Sequence, residues 1–298
     1  MKKQILSSIA ILLFVSYGYT MSPDSFKFQA AVTNVKNKVT IIVSPQVELI
    51  SIVQTISKYP TVLGFLMSQD SSEYKSEVLE HFSPYMNHPL VQMFDRLSLQ
   101  PGMLNYMAPS SIMLYTDQSL QLRGDIILDD LVIKRAGGRD TLELFLELLR
   151  DFAIQSSFDA FYNEHRGFYV DIVENTIQNL GPTDYIGEME NFYGRSQKSY
   201  NIVLVPLYNG VGFGNSLICP DDQREIYNVM GPQKVIAGTP FFGDEYYLKN
   251  MMRHEFSHPF INPLTDKHWT CIKNDSVLFE FIPDVAKQKV CGGYGLAN

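Results

Sequence analysis

Asp244-Glu-Tyr-Tyr-Leu-Lys-Asn-Met-Met-Arg-His-Glu-Phe-Ser-His258 is the stretch on which the reading of this chain turns. Gly243 precedes it and acids open its first turn, so Asp244 to Arg253 is expected to be helical. Tyr247, Met251, His254 and His258 follow the i, i+4, i+7, i+11 spacing of one helix face. The last five residues read H-E-x-x-H. Two imidazoles one turn apart can close on a single Zn²⁺ at about 2.1 Å each. Glu255, rotated by about 100° from His254, need not ligate and can take a proton instead. Zinc lowers the pKa of a bound water towards roughly 7, and the carboxylate aims that water at a carbonyl. Pro259 biases His258 away from helical angles, which predicts a helix ending at His258.

Upstream, Ile202-Val-Leu-Val205 is a β-branched run expected to form a strand. Gly210-Val-Gly-Phe-Gly214 behind it lacks the G-x-G-x-x-G spacing, and a hairpin or an exposed edge strand accounts for it better than a nucleotide loop. Further back, Val39 to Val43 reads as a buried strand, and Val47 to Ile56 is apolar enough for strand or helix. Ser72 to Phe82 has helical spacing, with His81 and His88 near its end as surface or capping residues. Ser111 to Tyr115 and Ile126 to Ile133 look like strands. Asp140 to Phe152 and Phe158 to Leu180 look like helices, and Pro182 opens a shorter one towards Tyr193. His165, between Glu164 and Arg166, reads as part of a solvated charged face.

The whole chain has 298 residues, 45% hydrophobic and 19% charged, with a formal charge of -8. It can bury a sizeable core, and its acidic balance without a basic run argues against nucleic acid or an anionic membrane surface as partner. Lys2 and Lys3, the apolar run Ile9 to Val15 and the small residues near Gly18 make residues 1–20 a secretory signal, too short for a comfortable membrane span. The protein is therefore expected to be secreted or periplasmic, with no stable membrane insertion after signal cleavage. Its three cysteines are Cys219, Cys271 and Cys291. The odd count leaves a thiol unpaired, with or without a Cys271–Cys291 bridge, and no C-x-x-C supports a cysteine zinc site.

Residues 254 to 263, His-Glu-Phe-Ser-His-Pro-Phe-Ile-Asn-Pro, resemble the zincin metallopeptidases, and look most like a secreted bacterial zincin-like family without assigned function. The resemblance covers roughly residues 200 to 290. It implies a strand–helix zincin core, and the expected architecture of the whole chain is α+β, a mixed sheet packed against several helices with the motif helix central. The resemblance also implies a Zn²⁺ cofactor held by His254 and His258, Glu255 as catalytic base, and hydrolysis of a peptide or protein substrate. In zincins an edge strand before the helix pairs with the substrate backbone, and Ile202 to Phe213 is the region expected to supply it. The metzincin pattern needs His where Leu264 stands and is excluded. A gluzincin-like pattern needs a downstream Glu, and Glu280 is the Glu that follows the motif. Asp266, His268, Asp275 and Asp284 are the other donors there.

The expected organisation is a signal peptide at 1–20, an α+β scaffold at 21–195 and a motif region at 196–298. The loop-like ending from Cys291 to Asn298 suggests a chain cut short near Tyr294, which would have lost a ligand-bearing helix. The competing reading is a non-catalytic exported binding or cell-envelope protein that keeps the fold with an incomplete metal site.

Overall fold

The computed structural model describes residues 26–100, 104 and 108–274. It begins with an antiparallel hairpin of β1 (Val32–Lys36) and β2 (Val39–Val43). Asn37 and Lys38 turn it, both at positive φ (50° and 64°), as a tight two-residue connection between right-twisted strands requires. Ser44 then caps α1 (Pro45–Ile56), its hydroxyl accepting from the Val47 N–H, with Pro45 in the first turn. The Val47 to Ile56 stretch is thus helix. Nearly every side of α1 is buried, so the sequence shows no amphipathic period.

A helical layer follows: α2 (Tyr59–Val62), α3 (Glu73–Phe82), α4 (Pro89–Ser98), α5 (Ala108–Leu114) and α6 (Asp130–Arg135). It continues through α7 (Arg139–Gln155), α8 (Phe158–Glu164), α9 (Arg166–Asn179) and α10 (Tyr185–Tyr193). Two expected strands are overturned here. Ser111 to Leu114 lies in α5, which is buried on all sides, and Asp129 caps α6 by accepting from the Leu131 N–H. The Phe158 to Leu180 helix is broken at His165. That imidazole contacts the Phe161 carbonyl at 2.8 Å and Glu77 at 2.9 Å, so it links helices instead of facing solvent. His88 does cap a helix, accepting from the Leu90 N–H and pairing with Asp151.

The chain then completes the sheet with β3 (Ser199–Leu204), β4 (Gly212–Ile218) and β5 (Arg224–Met230). The strand order is β1-β2-β3-β5-β4, with β2, β3 and β5 parallel and both outer pairs antiparallel. The fold is α+β, a mixed sheet packed against helices. A small hairpin, β6 (Lys234–Ile236) and β7 (Thr239–Phe241), leads into α11 (Glu245–Asn274). In register, Tyr200, Ile226 and Ser216 form one row across β3, β5 and β4, and Ile202, Asn228 and Gly214 form the next. α11 lies over this face: Leu248, Met252, Phe256 and Phe260 are buried beneath it at four-residue steps, and Phe256 packs on Tyr200.

Glu48 of α1 is 1% exposed. The Tyr74 hydroxyl donates to its Oε1, and Tyr169 lies 2.7 Å from Tyr74, while Oε2 is buried with no hydrogen-bond partner among the described residues. Burial pushes the carboxyl up to about 7, against the pull of the Tyr74 contact. An unfolded Glu titrates near about 4.3, so the native state holds this proton more tightly. The resulting stabilisation is complete below the unfolded pKa and is lost as pH rises through the folded one. Urea unfolding of the parent is expected to lose about 2–3 kcal/mol from this group between about pH 5 and 8.5. Glu48→Gln should abolish that part of the slope; parallel slopes in both proteins would refute it.

The signal at 1–20 and residue 291 of the Cys271–Cys291 pair lie outside the described residues, as does the Cys271 side chain. Cys219 is a buried free thiol. Among the described residues no helix is long and apolar enough to cross a membrane.

Candidate metal centre

Gly243, at φ 126°, turns the chain into α11, and Asp244 caps it by accepting from the Tyr247 N–H at 2.9 Å. The helix does not end at His258. It runs through Pro259 and Pro263. A proline offers no N–H to the carbonyl four residues back, so Glu255 and Pro259 each lose a helical donor. Packing carries the helix across the break: Pro259 and Phe260 are buried, and Phe260 stacks on Tyr193 with centroids 4.5 Å apart. His258 therefore stays helical, and the one-turn spacing of the two histidines is preserved.

His254, Glu255 and His258 bring one ligand atom each to within 4.8 Å of one another. The two imidazole rings stand 5.0 Å apart and nearly perpendicular. Glu255 lies between them, 4.0 Å from His254 Nε2 and 3.8 Å from His258 Nε2. His258 Nδ1 lies 3.3 Å from Asn262 Oδ1, a contact that orients the ring and turns Nε2 towards Glu255. His254 is exposed, His258 half-buried and Glu255 buried. Burial raises the Glu255 pKa, while the two histidines and the Gly214 N–H oppose it. Among the described residues this is the one group of three His, Cys, Asp or Glu side chains close enough to hold a metal ion. The two imidazoles, one helical turn apart, are donors of the type that can hold a metal ion such as Zn²⁺. Glu280, the expected third ligand, lies outside the described residues; Asp266 and His268 are exposed further along α11 and stand outside the cluster.

The glycine-rich segment is where the strand meets this helix. Gly212 and Gly214 alternate onto the face under α11. A Cβ on Gly214 would lie 2.6 Å from the Glu255 carbonyl oxygen, and one on Gly212 would lie 2.5 Å from Met251 Sδ. The missing side chains let α11 settle close enough for the Gly214 N–H to donate to Glu255 Oε2 at 2.5 Å. β4 is also the sheet edge. The expectation that Ile202 to Phe213 supplies that edge is corrected in part: Ile202 to Leu204 lie in β3, flanked by β2 and β5. Its unbroken apolar run is what burial on both faces demands.

Beside β4 a cleft of about 320 Å³ opens between α5 and α6 on one side and the second half of α11 on the other. Gly214, Ser216 and His258 line it, joined by Tyr115, Arg135 and Arg224. None of these last three stands out in the sequence, because they come from separate elements and share no spacing. A family model described as a domain of unknown function (DUF4932) matches residues 39–296. No curated protein and no solved structure matches the chain.

Proposed function

We propose, for a chain that belongs to the DUF4932 family of unknown function, the activity of an exported zinc-dependent peptidase with a zincin-like site. The observation that carries this reading is the convergence of His254, Glu255 and His258 within 4.8 Å, with His258 lining a cleft bordered by an edge strand. His254 and His258 would hold the metal, with Glu280 as third ligand. Bound zinc supplies a Lewis acid that polarises the scissile carbonyl and acidifies a coordinated water.

The protein groups have separable tasks. The Gly214 N–H anchors Glu255 Oε2 and leaves Oε1 to take a proton from the attacking water and pass it to the departing amine. Burial makes this carboxylate more basic than a solvated one. Along β4, the Gly214 N–H turns away from β5 to Glu255, and the Ile218 carbonyl accepts from the Ile127 N–H. By the two-residue alternation of an antiparallel ladder, Ser216 between them also directs its N–H and C=O outward. An extended peptide could add to the sheet there, with its backbone held beside the histidines. A peptide or protein substrate fits this arrangement, and the net negative charge disfavours nucleic acid. Residues 1–20 would direct the chain to the periplasm or outside the cell.

Metal removal tests the reading. The full chain is expected to hold about one zinc, as tetrahedral sites of this donor type do. Chelation should abolish hydrolysis of labelled casein, and zinc should restore it. His254→Ala and His258→Ala should each lose most of the metal by elemental analysis. Equal zinc in parent and both variants would remove the site. Firm zinc binding without hydrolysis would instead favour the non-catalytic exported binding protein.

A further inference from the structure

We propose that the cleft beside β4 is a substrate subsite for a peptide carboxylate, with Arg224 as its anchor and Arg135 on the facing wall. The inference rests on the peptidase reading and adds to it the chemical class of the substrate residue. Gly214 and His258 line the same cleft, so a group seated there lies next to the reacting bond. Arg224 Nη1 donates to Ser216 Oγ at 2.9 Å. The rest of that guanidinium, a planar fork of five N–H groups, has no acidic partner among the described residues. The Arg135 side chain makes no hydrogen bond or ion pair among the described residues either. Both arginines are half-buried.

Tyr115 adds a third donor. It is 7% exposed and lines the cleft, and its hydroxyl has no hydrogen-bond partner among the described residues. Burial pushes that phenol up to about 12, with Asp129 adding to the rise and Arg224 opposing it, so it keeps its proton at neutral pH. Two acids, Asp129 and Asp266, also border the cleft, but both are exposed, and one Asp129 oxygen is taken by the cap on α6. Partly desolvated cations discriminate more strongly than solvated anions at a rim, because the local dielectric is lower. The cleft therefore favours an anion. A planar carboxylate from an Asp or Glu side chain, or from a peptide C-terminus, suits the Arg224 fork.

Binding to the full-length Glu255→Gln chain tests this without needing turnover. The probes are fluorescein-labelled alanine peptides: end-blocked with one central Glu, Gln or Lys, and one with all alanines and a free C-terminal carboxylate. Anisotropy at neutral pH is expected to show the Glu peptide, the free-carboxylate peptide, or both, binding about tenfold tighter than the Gln peptide. Which of the two gains identifies the source of the carboxylate. Arg224→Gln should cut that preference to below about twofold, and the comparison within the parent stands even where that variant folds poorly. Equal affinities, no measurable binding, or a preference for Lys would overturn the subsite, the last assigning the cleft to Asp129 and Asp266. Casein hydrolysis by the parent without a carboxylate preference would sink the subsite and leave the peptidase reading intact. A carboxylate preference in a chain that hydrolyses nothing would sink the peptidase reading and leave the cleft as a carboxylate-binding site without a substrate role.

Discussion

Glu255→Gln is expected to lower kcat for peptide hydrolysis by about 10²–10⁴-fold, the range that a positioned general base contributes. The amide keeps the size of the side chain and can still accept from the Gly214 N–H, so the helix should keep its seat on β4. What it loses is the capacity to take a proton. Zinc content should be unchanged, because the histidines are untouched, and KM should move little. Folding should not suffer, since burial already disfavours the charged form of this carboxyl and the amide carries no charge. Elemental analysis, circular dichroism and steady-state kinetics on the same preparation separate these outcomes. Turnover within a few-fold of the parent would make Glu255 a structural residue.

Gly214→Val is expected to remove activity by a different route. The added Cβ would meet the Glu255 carbonyl oxygen at 2.6 Å and its carboxylate at 3.2 Å. A carbonyl on a helix cannot rotate away as a flexible side chain can, so α11 must lift from the sheet or β4 must bow outward. Either movement breaks the Gly214–Glu255 hydrogen bond and shifts the base relative to both histidines. Overpacking at so tight a contact is expected to cost about 3 kcal/mol in denaturant unfolding, with hydrolysis lost even in the folded fraction. Gly167→Ala in α9 is the matched control. A Cβ there meets nothing within 4 Å, and alanine in a helix should be neutral or stabilising by up to about 1 kcal/mol. Full activity and unchanged stability in Gly214→Val would show that the strand does not hold the helix in this way.

The parts of the fold that were legible in advance are those with local causes. Val39 to Val43 and Ile202 to Val205 announce strands because β-branched residues buried on a sheet leave a short apolar run. Asp140 to Phe152 announces a helix because one face is core and the other is solvent. The histidines announce themselves because one helical turn is a fixed distance along the chain. By contrast, α5 carries no period, being buried on every side, and it reads as easily as a strand. The stop expected at Pro259 fails because the burial of Phe260 against Tyr193 outweighs a local preference.

By itself, then, the sequence determined the class of the fold, the helix that bears the motif, and the face that His254 and His258 share, since these depend on residue types at fixed local spacing. Only the tertiary structure decided that β5 inserts between β3 and β4, leaving the glycine strand at the edge. It also decided that Gly214 grips Glu255 and that Tyr115, Arg135 and Arg224 gather in one cleft. Those outcomes depend on contacts between segments far apart in the chain, and such contacts are selected by packing and loop closure, which no local period encodes.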